Sequence, residues 1–179
     1  MQKPVDSPQA ADTFVRAEKR EGDAELDAHL FRQALAQFAT GITIITTRKA
    51  NGQLVGVTAN SFNSVSLHPP LVLWSLSKKS SSNDAFAAAE YYGVSVLAAD
   101  QQDLSMRFST YKGDRFEGLQ TIEGLGGCAL IPNALAHFEC KVKNRYEEGD
   151  HTIMIGEVLR CDYREGEALV YRSRKYFKN

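Results

Sequence analysis

Hydrophobic and polar positions change period several times along this chain. Leu26, Leu30, Ala34, Leu35 and Phe38 recur at helical spacing, and Gly41 follows as a stop, which predicts a first helix packed by one face. From Ile42 the pattern becomes that of a strand: Ile42, Ile44 and Ile45 sit among threonines up to Asn51-Gly52, a strong hairpin signal, and 54–57 is the expected partner strand. His68-Pro69-Pro70 is expected to break pairing and to give an extended entry to a third strand over 71–76. A short helix over 84–92 and a fourth strand over 93–98 follow. A further helix begins at Asp100, with Asp103 in its first turn and Leu104, Met106 and Phe108 available to bury. The stretch 110–127 is glycine-rich and charged and reads as a long loop. Strands over 137–146 and 151–163, joined by Glu147-Glu148-Gly149-Asp150, and a last strand over 168–172 complete the pattern. Residues 1–24 are polar and lack periodicity, which predicts a mobile arm ahead of one domain over 25–179. Six or so strands, mostly hairpin-linked, with few and short helices predict a mainly β fold, a closed antiparallel barrel.

Composition narrows the function classes. With 179 residues, 43% hydrophobic and 24% charged, the chain has room for one ordinary globular core. A formal net charge of −1 gives no electrostatic footprint for nucleic acid, which needs clustered Lys and Arg. Cys128, Cys140 and Cys161 are odd in number and widely spaced, without a C-x-x-C pair, and read as reduced thiols within strands. The N-terminal stretch has no apolar core of a secretory signal and carries acids throughout, and no run approaches the roughly 20 apolar residues of a membrane span. A cytoplasmic protein acting without nucleic acid or membrane is expected.

Four groups of residues invite a chemical reading. Gly124-Leu125-Gly126-Gly127-Cys128-Ala129 satisfies the letters of the dinucleotide fingerprint, yet no strand precedes it and Pro132 follows where a helix should run, so a flexible loop is expected there. The segment 56–66, GVTANSFNSVS, offers backbone donors and the hydroxyls of Thr58, Ser61 and Ser64 to a phosphate or to the polar edge of a heteroaromatic ring; an ordinary Ser/Asn-rich loop satisfying its own backbone is the competing reading. In 77–83, two lysines and several hydroxyls precede a helix start, which suits an anion or equally a plain N-cap with solvated lysines. His151 follows the Gly149-Asp150 turn and is expected at a barrel rim, where a surface histidine is the simpler reading. His68 and His137 have no companion at metal-ligand spacing, and neither a Ser-His-Asp set nor a paired-carboxylate set is visible, so hydrolytic chemistry has no machinery here and no metal is expected.

Six segments in order carry a resemblance: FATGITIITT (38–47), GVTANSFNSVSLHPPLVLWSL (56–76), GVSVLAADQQDLSMRF (93–108), DRFEGL (114–119), ALAHFECKV (134–142) and GDHTIMIGEV (149–158). Over about residues 28–177 the chain resembles the short-chain flavin reductases with an FMN-binding split barrel, the reductase partners of flavin-dependent monooxygenases. The resemblance implies a six-stranded antiparallel split β-barrel of Greek-key type with a few short peripheral helices, working as a homodimer with flavin near the subunit boundary. It implies that Thr58, Ala59, Asn60, Ser61 and Phe62 line the flavin ring and its ribityl chain and that Ser75 lies near the ring edge. Lys79, Ser80 and Ser82 are implied near the flavin phosphate, with Ser64 counted among the cofactor-binding hydroxyls. Phe108 is implied as a packing residue by the cofactor, His151 as the catalytic-site residue facing the nicotinamide, and Tyr176 of the tail as a further contact. Three positions depart from the family pattern: His68 where an Asp is usual, Ile131-Pro132-Asn133 in place of a more glycine-rich approach, and Ser173 where a glycine is commoner.

The implied activity is that of an NAD(P)H:flavin oxidoreductase, with FMN or FAD as flavin and NADH or NADPH as hydride donor, supplying reduced flavin to a partner monooxygenase. Two other classes remain open at this point. One is a module that holds flavin tightly as an electron carrier or structural subunit. The other is a split-barrel oxidase with its own small substrate.

Overall fold

In a computed structural model, residues 15–20 and 26–178 are described. The chain divides into two compact units, Met1–Phe38 and Ala39–Asn179. Most of the expected arm lies outside the described residues. In the first unit, helix α1 (Ala28–Leu35) is opened by the Asp27 carboxylate, which accepts from the amides of His29 at 2.8 Å and Leu30 at 3.0 Å. Those two amide bonds hold the Asp27 carboxyl below its ordinary range. The helix was expected to bury one face and to run to Gly41. No residue of it is buried, and Gly41 instead lies in a strand.

The second unit runs β1 (Thr40–Gly41), β2 (Thr43–Arg48), β3 (Leu54–Ala59), β4 (Asn63–Leu67), β5 (Pro70–Ser77), α2 (Asn83–Ala88), β6 (Tyr91–Val96) and α3 (Gln102–Thr110). It continues with β7 (Ile122–Glu123), a 3-10 turn (Leu125–Gly127), β8 (Ala129–Leu130), β9 (Ala136–Glu148), β10 (His151–Tyr163), β11 (Leu169–Arg172) and β12 (Lys175–Lys178). The main sheet has the order β3-β2-β6-β9-β10-β5-β4; β1-β11-β12 and β7-β8 form two small sheets. Every pairing is antiparallel. The protein is thus mainly β with few helices. The expected closed six-stranded barrel is a seven-stranded sheet whose end strands, β3 and β4, share no ladder among the described residues. They are nevertheless successive in the chain, joined only by Asn60, Ser61 and Phe62.

The sheet curls about one apolar cluster. Strands β5 and β6 are separated by two others, yet the rings of Trp74 and Tyr92 lie 6.0 Å apart, and Phe86 of α2 meets Trp74 edge-on at 4.9 Å. Val72, Trp74 and Leu76 alternate inward along β5, as a strand buried on one face requires. Burying each of these large side chains stabilises the fold by about 1.5–3 kcal/mol. Gly156 sits where a Cβ would lie 2.1 Å from the Tyr92 hydroxyl, so the tyrosine fits only over a glycine. The buried threonines of β2 are tolerated because each hydroxyl donates to a carbonyl: Thr43 to Ala59, Thr46 to Ala129 and Thr47 to Tyr91. A second cluster, with Ile42, Ile44, Leu97, Phe108, Ile131 and Leu169, packs α3 and β11 onto the other face of β2.

Several local expectations change. The segment 63–67 pairs as an edge strand although its polar side chains carry no burial pattern, because pairing needs only its backbone. The prolines do not break that pairing. His68–Pro69 is cis and Pro70 is the first residue of β5, opposite Leu67, a place where a missing N–H is harmless. The helix expected over 84–92 ends at Ala88, because Tyr91 and Tyr92 pair with Lys141 and Cys140 of β9. The loop over 110–127 contains β7, and β12 extends the tail beyond the last expected strand.

Candidate functional site

The site begins at Gly56 on β3. A Cβ there would lie 2.6 Å from the Phe108 ring and 3.0 Å from that of Phe116, so the glycine lets both rings settle on the strand, edge to face at 5.0 Å. Its carbonyl accepts from Arg115 Nη1 at 2.7 Å, and Arg115 Nε donates to the Tyr111 carbonyl at 3.1 Å. Past Gly56, Thr58 Oγ1 donates to the Ser105 carbonyl of α3 at 2.7 Å. That bond engages the hydroxyl proton and leaves its lone pairs to face any ligand. Ser61 lies opposite Ser75 and accepts from the Ser75 amide at 2.9 Å while donating to its carbonyl at 3.3 Å. This clasp continues the β4–β5 pairing where the backbone ladder has stopped.

The opposite wall comes from β5 and the start of β10. Register places His151 beside Ser77, and the Lys78 amide donates to the Asp150 carbonyl at 3.0 Å. His151 Nδ1 lies 2.7 Å from Asp150 Oδ1. The ring nitrogen must carry a proton to use that contact, which leaves Nε2 as the group available to a ligand. The same bond, with the neighbouring charge of His151, holds the Asp150 carboxyl below its ordinary range. Between the walls is a cleft of about 330 Å³.

Of the residues expected at the site, Thr58, Ala59, Asn60, Ser61, Ser75, Ser80, Phe108 and His151 line this one cleft. Ser82 lines the cleft next to it. Four others stand apart. Phe62 turns inward and packs on Phe138 at 5.3 Å, beside the core. Ser64 is exposed on β4, paired with Val72, and Lys79 is exposed on the turn after β5. Tyr176 lies behind α3, its hydroxyl 3.0 Å from Ser105 Oγ, so it reaches the cleft only through Ser105 and Thr58. Ser173 and Arg174 form the tail hairpin at positive φ, and the tail closes without the glycine commoner there. Ser77, the first residue of the 77–83 segment, lines the cleft too, and so do Arg115 and Ser109, which were not singled out from the sequence. Arg115 lies in DRFEGL, a segment that signalled the resemblance without indicating that its arginine would turn toward Gly56.

The fingerprint-like 124–129 is a tight turn between β7 and β8. Its Leu125 amide donates to Glu139 Oε2 at 2.6 Å, the Gly124 amide to the Cys128 carbonyl at 2.9 Å, and the Gly127 carbonyl accepts from Arg48 Nε at 2.7 Å. The chain's own carboxylate thus engages the Leu125 amide. Cys128 beneath it is buried, which, with the nearby Glu139 charge, pushes its thiol up to about 12; burial does the same for Cys140. Among the described residues no three His, Cys, Asp or Glu side chains gather as a metal site, and no helix is long and apolar enough to cross a membrane.

The flavin reductase like domain model matches residues 35–179. The FMN reductase (NADH) SmoA of Agrobacterium fabrum is 47% identical over 141 residues, 79% of this chain and 80% of that protein. A probable flavin reductase of Rhizobium meliloti is 38% identical over 84% of this chain, which spans only 49% of that longer protein. The structure of the Streptomyces globisporus NADH:FAD oxidoreductase SgcE6 in complex with NAD and FAD fragments superposes with a TM-score of 0.80 at 35% identity, covering 84% of this chain and 92% of that one. With a family match over four-fifths of its length on a mainly β, antiparallel scaffold, the chain belongs to the flavin reductase-like domain family.

Proposed function

We propose that this chain is an NADH-dependent flavin reductase that transfers a hydride from reduced nicotinamide to FMN or FAD and passes the reduced flavin to a partner monooxygenase. The observation that carries the reading is the convergence of Thr58, Asn60, Ser75, Ser80 and His151 on one cleft with Phe108 and Arg115. Its volume, about 330 Å³, lies at the lower end of the range for small-molecule sites. Its chemistry suits a flavin: an acceptor-only hydroxyl at Thr58 for a ring N–H, and the half-buried Arg115 guanidinium with Ser80 for a phosphate.

A bound flavin supplies the hydride acceptor and the nicotinamide the hydride, so the protein needs no general base of its own. Its residues position and shield. Phe108, whose ring settles against Gly56, lines the cleft, the Ser61–Ser75 clasp fixes one wall, and Asp150 holds the His151 ring so that Nε2 meets the incoming nicotinamide. The same proposal includes the finer architecture, a split barrel in which β3 and β4 act as one bent strand bridging the two sheet edges. It also includes a cytoplasmic homodimer, for which Leu159 and Tyr163, exposed on β10, offer an apolar face.

The test follows absorbance at 340 nm with NADH or NADPH, in the presence and absence of free FMN, FAD or riboflavin. Oxidation that depends on added flavin is expected, with His151→Ala raising the KM for nicotinamide more than the Kd for flavin. A protein that stays yellow through purification and ignores both nicotinamides is the tightly flavin-binding electron carrier instead. Sedimentation at twice the 19.8 kDa chain mass checks the dimer.

A further inference from the structure

Helix α3 meets the cleft at its far end, where Phe108 and Ser109 line it, and in its middle, where the Ser105 carbonyl accepts from Thr58 Oγ1 at 2.7 Å. The residue before its first turn is Gln101, a position that Ser, Thr, Asp or Asn would fill if capping were the need. The Gln101 side chain caps nothing. It is buried, 8% exposed, and joins two other parts of the domain: Oε1 accepts from the Ala98 amide at 3.0 Å, and Nε2 donates to the Pro132 carbonyl at 2.8 Å. These partners fix which end of the amide is which, because a main-chain N–H needs the oxygen and a carbonyl needs the N–H. The main chain of the same residue is tied as well, its amide to the Ala98 carbonyl at 3.0 Å and its carbonyl to the Ser105 amide at 3.2 Å.

The Pro132 carbonyl is a firm anchor. Residues 131–134 bend between β8 and β9 with Asn133 at φ 60°. Ser95 Oγ accepts from the Ile131 amide at 2.9 Å, His137 Nε2 lies 2.8 Å from the Ile131 carbonyl, and Arg164 Nε donates to the Ala134 carbonyl at 3.1 Å. A bond to so fixed a carbonyl transmits position and does not absorb it. Ser105 follows Gln101 by one helical turn, about 6 Å along the axis. It is itself held from behind, its Oγ 3.0 Å from Tyr176 Oη.

We propose that Gln101 is a positioning residue of the flavin cleft: its side-chain amide sets the start of α3 against the 131–134 bend, so that the Ser105 carbonyl meets Thr58. The proposal rests on the flavin reading of the cleft. Gln101 lies outside the cleft lining and acts through Ser105 and Thr58. With the carbonyl in place the Thr58 proton is engaged and the hydroxyl offers the cleft an acceptor. A shift of α3 frees that proton to turn toward the ligand, the wrong polarity for a ring N–H.

The test is the isosteric variant Gln101→Glu in the full chain, with binding of FMN and of FAD read by quenching of flavin fluorescence. The introduced carboxylate still accepts from the Ala98 amide but has no proton for the Pro132 carbonyl. At about pH 8 the flavin Kd is expected to rise about threefold to fivefold, bounded by what the Thr58 hydroxyl itself contributes. At about pH 5.5 the introduced carboxyl, buried and therefore protonated, donates again, and the Kd is expected to return to the native value. The native chain is measured at both pH values, so that titration around the bend and the helix start, at His137, Asp162, Asp100 and Asp103, cancels in the ratio. In the Thr58→Ala background Gln101→Glu is expected to leave the flavin Kd unchanged, because its route to the ligand is gone.

Urea unfolding at each pH checks that the variants are folded. Where Gln101→Glu does not fold at the higher pH, Gln101→Met takes its place, with a Kd expected to be raised at both pH values and again no effect in the Thr58→Ala background. A folded variant with the native Kd at about pH 8, a raised Kd of Gln101→Glu that acid does not restore, or an equal effect with and without the Thr58 hydroxyl overturns the proposal and leaves the flavin reading intact. A native chain that binds neither flavin overturns both readings together.

Discussion

The segments 56–66 and 124–129 look alike in sequence, small and glycine-containing beside a strand, and differ in where their polar groups go. In 124–129 the backbone groups are engaged by the chain itself: Glu139 takes the Leu125 amide, Arg48 takes the Gly127 carbonyl, and Thr46 exchanges hydrogen bonds with Ala129. In 56–66 the backbones of β3 and β4 are paired and Thr58 and Ser61 are tied to Ser105 and Ser75, yet Thr58, Ala59, Asn60 and Ser61 still line an open cleft with Ser75 of β5. A binding site is a set of polar groups that folding has oriented and not satisfied. Composition alone does not distinguish that state from a closed turn.

The largest effect expected from breaking this contrast is at the closed turn. Gly126 has φ +63°, and a Cβ there would lie 2.7 Å from the Tyr91 side chain. Gly126→Ala therefore combines left-handed strain with overpacking and should cost about 2–4 kcal/mol of stability, read from urea unfolding. The flavin Kd of the folded variant should not move. A parallel loss of flavin affinity would place the turn in the ligand site and erase the distinction.

Glu139→Ala is next, at about 1–3 kcal/mol, because it leaves the Leu125 amide without its acceptor. It also carries a pH signature. Burial first, and then the Glu139 charge, raise the Cys128 thiol to about 12, so in the parent protein the reactive thiolate stays scarce until pH approaches that value. Removing the carboxylate lowers the pKa, and alkylation of Cys128 should then begin at lower pH. At pH 8 the native parent should label at the exposed Cys161 alone, with Cys128 and Cys140 reacting only after unfolding. Rapid labelling of Cys128 in the native parent would mean that the turn opens more readily than its hydrogen bonds imply.

On the open segment the expected effect is smaller and falls on binding. Thr58→Ala removes one acceptor from the cleft and should raise the flavin Kd about fivefold, roughly 1 kcal/mol, with Thr58→Ser restoring it. A Kd unchanged by Thr58→Ala would mean that the hydroxyl serves only to tie β3 to α3.

How much of this was legible beforehand follows the same physical line. The strands β2, β5, β9 and β10 were readable because alternation or β-branched runs record burial in the sequence itself, and Trp74 and Met154 turn inward as such strands require. The edge strand β4 and the tail strand β12 escaped because both pair through their backbones with mostly exposed side chains. Thr58, Ser75 and His151 were implied by the resemblance; the β5–β10 register, which no local pattern encodes, sets His151 beside the β5 strand that carries Ser75, and Thr58 of β3 lines the same cleft. Phe62 shows the reverse: its neighbours Asn60 and Ser61 line the cleft while its own ring packs beside the core against Phe138. Arg115 was missed because a lone arginine in a charged loop carries no signal until Gly56 and Tyr111 supply the carbonyls that hold it.

The smallest effect tests a turn that has neither a ligand to face nor an internal anchor like Glu139. Ser173 and Arg174 sit at φ 49° and 63° between β11 and β12, the paired positive angles of a two-residue hairpin turn. The register Arg172↔Lys175 imposes those angles whichever residues occupy the turn. Ser173→Gly relieves the left-handed strain but gives the unfolded chain more freedom, so the net gain should be only about 0.5 kcal/mol, or roughly 1–2 °C in Tm. Because Tyr176 remains opposite Tyr171 and reaches Ser105, the gain should appear in stability and leave the flavin Kd alone. A tighter flavin Kd in Ser173→Gly would show instead that the tail limits the geometry of α3, and that the open face between β3 and β5 is set in part from behind the helix.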